Sequence, residues 1–306
     1  MTTVNTSTSA FFERATIGIT ELRKQAEDLQ AQLGSGEKLK ASSDDPVAAS
    51  RLRVLSRADT LAGVDTANAN RATADLNMAD TTLSNFTSYI TRALELATQA
   101  ANGTLTDAQR SSIGAELAQM QGDLLSLANS RDSEGHALFG GETGGDAYTL
   151  DASGNAVYVG TGSAGELPIA DGQTVSRGLT GPEFLNFNVN GTPTDLMAVV
   201  KGLADALQGG SSDPAGAARD AITGLKAGLD AVTTGQTLVG ARLNWIDLTT
   251  SRQQNLSELR SNEQADIGST DIATTIAQLQ QAMTVLEASQ SSFAKLSSLS
   301  LFSMLG

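Results

Sequence analysis

The sequence contains no cysteine and only one histidine, His136. Without cysteine the chain can form neither disulfide bonds nor thiolate metal sites, and a single imidazole leaves few ligands for a transition metal. His136 could serve as a general base only beside a nucleophile and an orienting acid, and no serine stands in a recognised nucleophile motif. We therefore expect no catalytic residues, no metal site, no cofactor and no enzymatic activity, and we expect packing alone to stabilise the fold.

Positive charge and long apolar runs are scarce as well. Lys and Arg number 20 against 34 Asp and Glu, which gives a net charge of -14 at pH 7. This charge repels phosphate backbones, so we expect no nucleic-acid partner. No apolar run approaches the roughly 20 residues of a membrane span, and residues 1–10 lack the charged start and apolar stretch of a cleaved signal peptide. We expect no membrane insertion, and export of the protein would need another route.

Both ends of the chain repeat apolar residues in the alternating steps of four and three that mark a coiled-coil seam. The C-terminal repeat runs from Ile272 to Leu286 with Phe293 in phase, and the N-terminal repeat runs from Ala15 to Leu33. We predict that the first and last helices pair and also contact neighbouring subunits. The predicted assembly interface consists of Ile19, Leu22, Leu29, Leu33, Ile272, Ile276, Leu279, Met283, Leu286, Phe293 and Leu296.

Glycine and capping signals set the limits of the first two helices. A Gly-Ser-Gly break at residues 34–36 ends a first helix that we expect to begin at about Phe11, after a disordered start at residues 1–10. Residues 42–46 combine capping side chains with a proline at the first helical position, which predicts a helix from there to about Ala101. Such a helix would be on the order of 80 Å long. One thin partner cannot cover helices of this length, so self-association is expected.

The middle of the chain changes from helical to strand-like patterns. Thr106 caps a further helix, and β-branched and aromatic runs with Gly and Asx turns then predict a small β region over 135–194, opened by a hairpin at 148–159. A second cap-plus-proline signal at 213–214 predicts a long return helix. The apolar repeat of this return helix is interrupted at 262–269, where we expect a hinge.

These signals predict a mainly α fold: an elongated coiled-coil rod of long antiparallel helices built from both chain ends, with a small inserted β domain. We expect a terminal coiled-coil domain (1–44 and 266–306), a helical rod domain (45–134 and 195–265) and a β-rich outer domain (135–194). Because isolated helices are marginal without packing, the terminal domain is expected to be disordered in the monomer. The outer domain is expected to be an independent module, since its hairpin signals are local.

Two loop motifs resemble ligand sites. Residues 160–165 match G-x-G-x-x-G, but Glu-Leu-Pro follows in place of a helix, so no helix N-terminus could receive a pyrophosphate. Asp151 and Asn155 could hold Ca²⁺ only with further carboxylates, which the spacing lacks. Both motifs are therefore interpreted as turns.

Several segments together resemble the flagellin superfamily. Residues 42–49, Ser-Ser-Asp-Asp-Pro-Val-Ala-Ala, follow the glycine break at 34–36. Flagellins usually carry an Asp-Asp-Ala-Ala-Gly version, and the proline form resembles the hook-associated proteins of the hook-filament junction, the FlgL type. Further segments similar to the axial core of the superfamily are residues 93–97, 99–104, 127–132, 239–244, 265–267, 278–282 and 286–289. The β insertion resembles no known motif.

The resemblance implies a structural subunit of the bacterial flagellum that joins hook to filament, is secreted through the flagellar type III apparatus and lies outside the cell. Its implied partners are neighbouring copies of itself, another hook-associated protein, flagellin and an export chaperone. A flagellin-like filament subunit, which would polymerise into long filaments, is one alternative. A surface binding module that uses the outer β domain is the other, and its ligand binding would be lost on deleting residues 140–193.

Overall fold

The computed structural model describes the backbone of residues 3–305 and the side chains of residues 10–297. Two compact units make up this described chain. The terminal unit consists of Met1–Thr60 and Leu256–Gly306, and the central unit consists of Leu61–Asn255. The domain limits expected from the sequence stay predictions.

Long α-helices dominate the described residues. The helical elements are α1 (Thr3–Ser35), α2 (Pro46–Ala100), α3 (Asp107–Ala128), α4 (Gly181–Leu185), α5 (Leu196–Asp205), a π-helical turn (Ala206–Gly210), α6 (Pro214–Gly268) and α7 (Ile272–Leu305). The prediction of a mainly α fold, with long helices from both chain ends and a small strand-containing insertion, is confirmed. In the part of the chain that is described, no helix is long and apolar enough to span a bilayer.

The helix starts follow the capping chemistry expected from the sequence. Pro46 is the first residue of α2, and Asp45 Oδ1 accepts hydrogen bonds from the backbone N–H groups of Val47 (3.1 Å) and Ala48 (3.0 Å). At the start of α3, the side chains of Thr106 and Gln109 each accept a hydrogen bond from the other residue's backbone N–H. These bonds satisfy N–H groups that a helix leaves free at its first turn.

Two helix limits differ from the sequence prediction. Helix α1 begins at Thr3, so the expectation that residues 3–10 are disordered is wrong; residues 1 and 2 lie outside the described chain. No proline or glycine interrupts residues 3–17, and hydroxyl groups in a helix can bond one turn back, as Thr16 does to the carbonyl of Phe12 (2.8 Å). Helix α6 continues through Gly268, so the break expected over 262–269 is confined to residues 269–271.

Three separate antiparallel hairpins form the strand-containing insertion. They are β1 (Tyr148–Leu150) with β2 (Ala156–Tyr158), β3 (Glu166–Ala170) with β4 (Gln173–Ser176), and β5 (Asn186–Val189) with β6 (Thr192–Asp195). The first hairpin was predicted and is confirmed, with Tyr148 opposite Tyr158. Asn190 and Gly191 join β5 to β6 with φ angles of 51° and 82°, and two positive φ angles favour the Asn-Gly pair found here.

The insertion and the long helices of the central unit share one core. Phe139 and Phe184 of the insertion pack against Phe86 of α2, and all three rings are fully buried. The centroid of Phe184 lies 5.5 Å from that of Phe86 and 4.8 Å from that of Phe139. Because its largest side chains are buried against a helix, the insertion is not the independent module that the sequence suggested.

Candidate assembly interface

Helices α1 and α7 of the terminal unit pack against each other in antiparallel orientation. The ring of Phe12, near the start of α1, meets that of Phe293, late in α7, edge to face at a centroid distance of 5.5 Å. At the opposite ends of these helices, Glu37 and Ser269 form an isolated antiparallel bridge. The prediction that the first and last helices pair is therefore confirmed.

The predicted interface residues divide into an inward and an outward group. The inward residues are Leu29, which is buried, and the half-buried Ile19, Leu22, Leu33, Leu279, Leu286 and Phe293. The outward residues are Ile272, Ile276, Met283 and Leu296. Whether either group contacts a neighbouring subunit stays a prediction.

The contact seam of α7 is offset from the seam inferred from large apolar residues. Between Thr275 and Phe293, the positions of α7 turned away from solvent are Thr275, Leu279, Ala282, Leu286, Ser289 and Phe293. They also follow steps of four and three, but every second member is small or polar. Thr275 and Ala282 are buried and were missed, because the search for the repeat favoured large side chains. Ile276 and Met283 lie beside this seam and do not belong to it.

Three of the four outward residues form an exposed strip on α7, which we call the apolar ridge: Ile272, Ile276 and Met283. Their exposures are 60%, 42% and 50%. Steps of four and seven keep all three on one side of the helix. Helix α1 covers the seam but not the ridge beside it, so part of the apolar surface of α7 stays exposed.

An open apolar groove of about 280 Å³ lies between α1 and α7. Its α1 wall includes Phe11, Gly18 and Leu22, and its α7 wall includes Ser289 and Phe293. No heavy atom lies within 4 Å of the point where a Cβ on Gly18 would stand. The small residues therefore leave room for an apolar side chain from another helix.

Backbone hydrogen bonds fix the joint between the ends of the terminal helices. The Lys38 N–H donates to the Gly268 carbonyl (2.8 Å), and the Thr270 N–H donates to the Gly36 carbonyl (2.9 Å). Gly36 has a φ of 73°, which a residue with a side chain rarely adopts. Asp271 then caps α7, and the hydrogen bond from the Thr274 hydroxyl lowers the pKa of the Asp271 carboxyl.

Two ion pairs join α2 to α6 within the terminal unit. Arg51 donates two hydrogen bonds to the carboxylate of Glu263, at 2.5 and 2.8 Å. Asp59 accepts from Arg260 and from Gln264, both at 2.6 Å. The hydrogen bond from Arg260 lowers the pKa of the Asp59 carboxyl. No periodic pattern in the sequence indicated these contacts, since the partners are far apart along the chain.

The central unit contains a polar cluster around Arg177, beside a cavity of about 360 Å³. The guanidinium lies 3.4 Å from Asp75 Oδ2 and 3.3 Å from Asp132 Oδ2, and both carboxylate side chains are nearly fully buried. Burial raises the pKa of Asp75, and Arg177 offsets only part of that effect.

His136 lies at the edge of this cluster. Ligand-type atoms of Asp132, Glu134 and His136 lie within 4.8 Å of one another. Asp132 Oδ1, however, accepts the backbone N–H groups of both Glu134 and His136 at 2.9 Å, and Glu134 also contacts Arg71 of α2. These contacts shape the turn and tie it to the helix. The expectation of no metal site stays a prediction.

The two loop motifs that resembled ligand sites are turns, as predicted. Asp151 Oδ1 accepts the N–H groups of Ser153 and Asn155, each at 2.8 Å, within the β1–β2 hairpin. Residues 160–165 connect β2 to β3, so a strand and not a helix follows the glycines.

Comparison with known proteins finds similarity to flagellins and to flagellar hook-associated proteins. The protein-family model described as the bacterial flagellin N-terminal helical region matches residues 4–143 of this chain. Flagellar hook-associated protein 3 of Escherichia coli (strain K12) is 28% identical, over 97% of this chain and 98% of that protein. Flagellin A of Vibrio anguillarum is 31% identical, but over 52% of this chain and 41% of the flagellin. A solved structure described as a flagellar hook-associated protein from Vibrio parahaemolyticus has a fold similar to this chain, with a TM-score of 0.67 and 24% identity over 74% of this chain and all of that one.

Proposed function

Because the chain belongs to the flagellin superfamily, we propose that it is a structural subunit of the bacterial flagellum that joins the hook to the filament. The observation that carries this proposal is the relation to hook-associated protein 3 along almost the whole length of both proteins. The related flagellin, in contrast, is matched over 41% of its length. A flagellin-like filament subunit is the second candidate, since the flagellin N-terminal region is present.

The proposed role is structural and not enzymatic, and it places the chain outside the cell after export through the flagellar apparatus. Its proposed partners are neighbouring copies of itself, another hook-associated protein, flagellin and an export chaperone. The hydrogen bonding around His136 supports a structural role, because Asp132 and Glu134 are engaged with backbone N–H groups and with arginine side chains.

The α1–α7 pair is the proposed site of assembly. Its apolar ridge stays exposed beside the seam, and its groove is open to an incoming side chain. Burying apolar surface between copies would stabilise an assembly by roughly 25 cal/mol for each Å² removed from water. We therefore propose that the ridge of one copy packs against the terminal helices of a neighbour.

The experiment that tests this proposal removes the ridge without touching the seam. Ile276→Ser with Met283→Ser is introduced into the full chain and returned to a strain that lacks its own copy. Both side chains are largely exposed, so the thermal midpoint of the purified monomer should stay unchanged. Cells should nevertheless lose swimming, and flagellin should be shed into the medium. Recovery of the variant from the medium would establish that export still works.

A matched control uses an exposed apolar residue outside the terminal helices, Val157 of β2, which is 43% exposed. Val157→Ser should leave swimming intact. The pair Leu279→Ala and Leu286→Ala should also abolish the junction, since these residues belong to the seam itself. Normal swimming and retained filaments with the ridge variant would refute the assembly role. Growth of the purified chain into long filaments would favour the flagellin-like alternative.

A further inference from the structure

One face of α2 in the terminal unit carries exposed apolar and basic residues together. Val47 and Val54 are 81% and 56% exposed. Arg53 and Arg57 are also exposed on this side of the helix, and neither forms an ion pair with any residue whose side chain is described. We call this surface, made of Val47, Arg53, Val54 and Arg57, the knob face. It carries unpaired positive charge in a chain of net charge -14.

A second face of the same unit contains an open cavity of about 430 Å³ at the joint between the helices. Leu39, Leu52 and Ala265 are among the residues that line it, and Glu37 also lines it. Glu258 lies one helical turn before Ser261, another lining residue. We call this surface the pocket face. Glu37 and Glu258 are both exposed, and within residues 10–297 neither has an ion-pair partner.

The two faces point in opposite directions, so one copy cannot fill its own pocket. Successive helix residues are about 100° apart, which places Val54 roughly 200° around α2 from Leu52. Leu52 lines the cavity, whereas Val54 is exposed on the other side of the helix. The surfaces are complementary in charge, with two unpaired arginines on one and two unpaired carboxylates on the other.

We propose that the knob face of one copy docks into the pocket face of the next copy. The valine side chains enter the cavity, and Arg53 and Arg57 lie against Glu37 and Glu258. Because the two surfaces differ, the contact is heterologous and repeats from copy to copy, which produces a ring or a helical array instead of a closed dimer. This contact rests on the proposed function, because a junction subunit lies beside other copies of itself. The knob face and the pocket face are the surfaces through which adjacent copies meet.

Disulfide trapping tests the contact, because the natural chain has no cysteine. The full chain carrying both Val54→Cys and Ala265→Cys is oxidised at its highest soluble concentration and separated without reducing agent. Each copy then presents one thiol on each face, so dimers, trimers and larger species should form. In the control chain, Val157→Cys replaces Val54→Cys while Ala265→Cys is kept. This control should give little product beyond the monomer.

Mixing and charge reversal determine which surfaces meet. Chains with Val54→Cys alone and Ala265→Cys alone should give mixed dimers on mixing and nothing larger. Arg53→Glu with Arg57→Glu should lower the yield at least about ten-fold, because like charges then face each other. Adding Glu37→Lys and Glu258→Lys should restore the yield. Circular dichroism of each variant verifies that it remains folded.

Three results would overturn the proposal: no more product than the control, dimers formed by Val54→Cys alone, or no restoration by the fourfold charge exchange. The assay uses no flagellum, so its failure is distinguishable from failure of the junction role. A ridge variant that abolishes swimming while the disulfide products are absent would leave the proposed function in place and remove this contact alone.

Discussion

Phe184 lies where the β insertion meets the long helices, and its replacement by alanine is expected to destabilise the whole central unit. Its ring packs against Phe86 and Phe139 and is fully buried. Loss of a buried phenylalanine side chain costs about 3 to 5 kcal/mol, through lost burial and the cavity left behind. The upper part of this range is expected, because Gly235 of α6 already lies close enough that a Cβ there would stand 2.9 Å from Phe184 Cβ. A helix backbone so close by cannot move far into the cavity.

The thermal midpoint provides the measurement. For a domain of 150 to 250 residues, each kcal/mol shifts the midpoint by about 2 to 4 °C, so Phe184→Ala should lower it by about 6 to 20 °C. Urea unfolding of the full chain, followed by circular dichroism, gives the free energy of unfolding independently. Val157→Ala, on the exposed side of β2, is the matched control and should change the free energy by less than about 0.5 kcal/mol.

The fluorescence of Trp245 identifies which part of the unit responds. This residue is the only tryptophan of the chain and lies in α6. If the insertion and the helices share a core, Phe184→Ala must lower the midpoint reported by Trp245 as much as the midpoint reported by circular dichroism. A variant in which the Trp245 transition stays in place would show that the insertion unfolds by itself, and would refute the shared core.

Three further predictions test other parts of the structure. Gly235→Ala should destabilise the central unit by about 1 to 3 kcal/mol in urea unfolding, since the added Cβ would press on Phe184. The control, Gly240→Ala, should be neutral or stabilising, because no heavy atom lies within 4 Å of its added Cβ. Equal effects of the two substitutions would contradict the packing argument. Asp75→Asn should gain stability relative to the natural chain as the pH rises above 3.8. Burial raises the pKa of Asp75 in the folded state, so above pH 3.8 the natural chain loses stability as the carboxyl ionises, whereas Asn has no proton to lose. A stability difference between the two chains that does not change with pH would contradict this effect of burial. Limited proteolysis of the monomer should trim both ends and leave about residues 45–266, and resistant termini would argue against their dependence on neighbours.

The parts of the fold that the sequence predicted well depend on local chemistry. The start of α2 at Pro46, the start of α3 after Thr106 and the hairpin opened by Tyr148 are each set by residues a few positions apart. Caps, prolines at the first helical position and hairpin turns act over such distances, so one sequence suffices to locate them.

The parts that it did not predict depend on contacts between distant residues. Phe86 and Phe184 are almost 100 positions apart, and nothing in the local pattern around either indicates the other. The offset of the α7 seam has a similar origin. Thr275 and Ala282 carry no strong apolar signal, and their burial depends on how closely α1 approaches. The exposure of the apolar ridge at Ile276 and Met283 follows from the same offset. It could be recognised only once the side of α7 that contacts α1 was known.

The two units differ in how much of their stability can come from the chain itself. The largest fully buried side chains among the described residues, which include Phe86, Phe139 and Phe184, all belong to the central unit. In the terminal unit, within residues 10–60 and 256–297, the buried apolar side chains are Leu29, Ala49, Leu55 and Ala282, two of them alanines. Since burial of apolar area is the main favourable term in folding, the terminal helices gain less from their own contacts than the central helices do. The same helices carry the apolar ridge and the open groove, so in the proposed assembly contact with the next copy would supply the stability that they lack in a single copy.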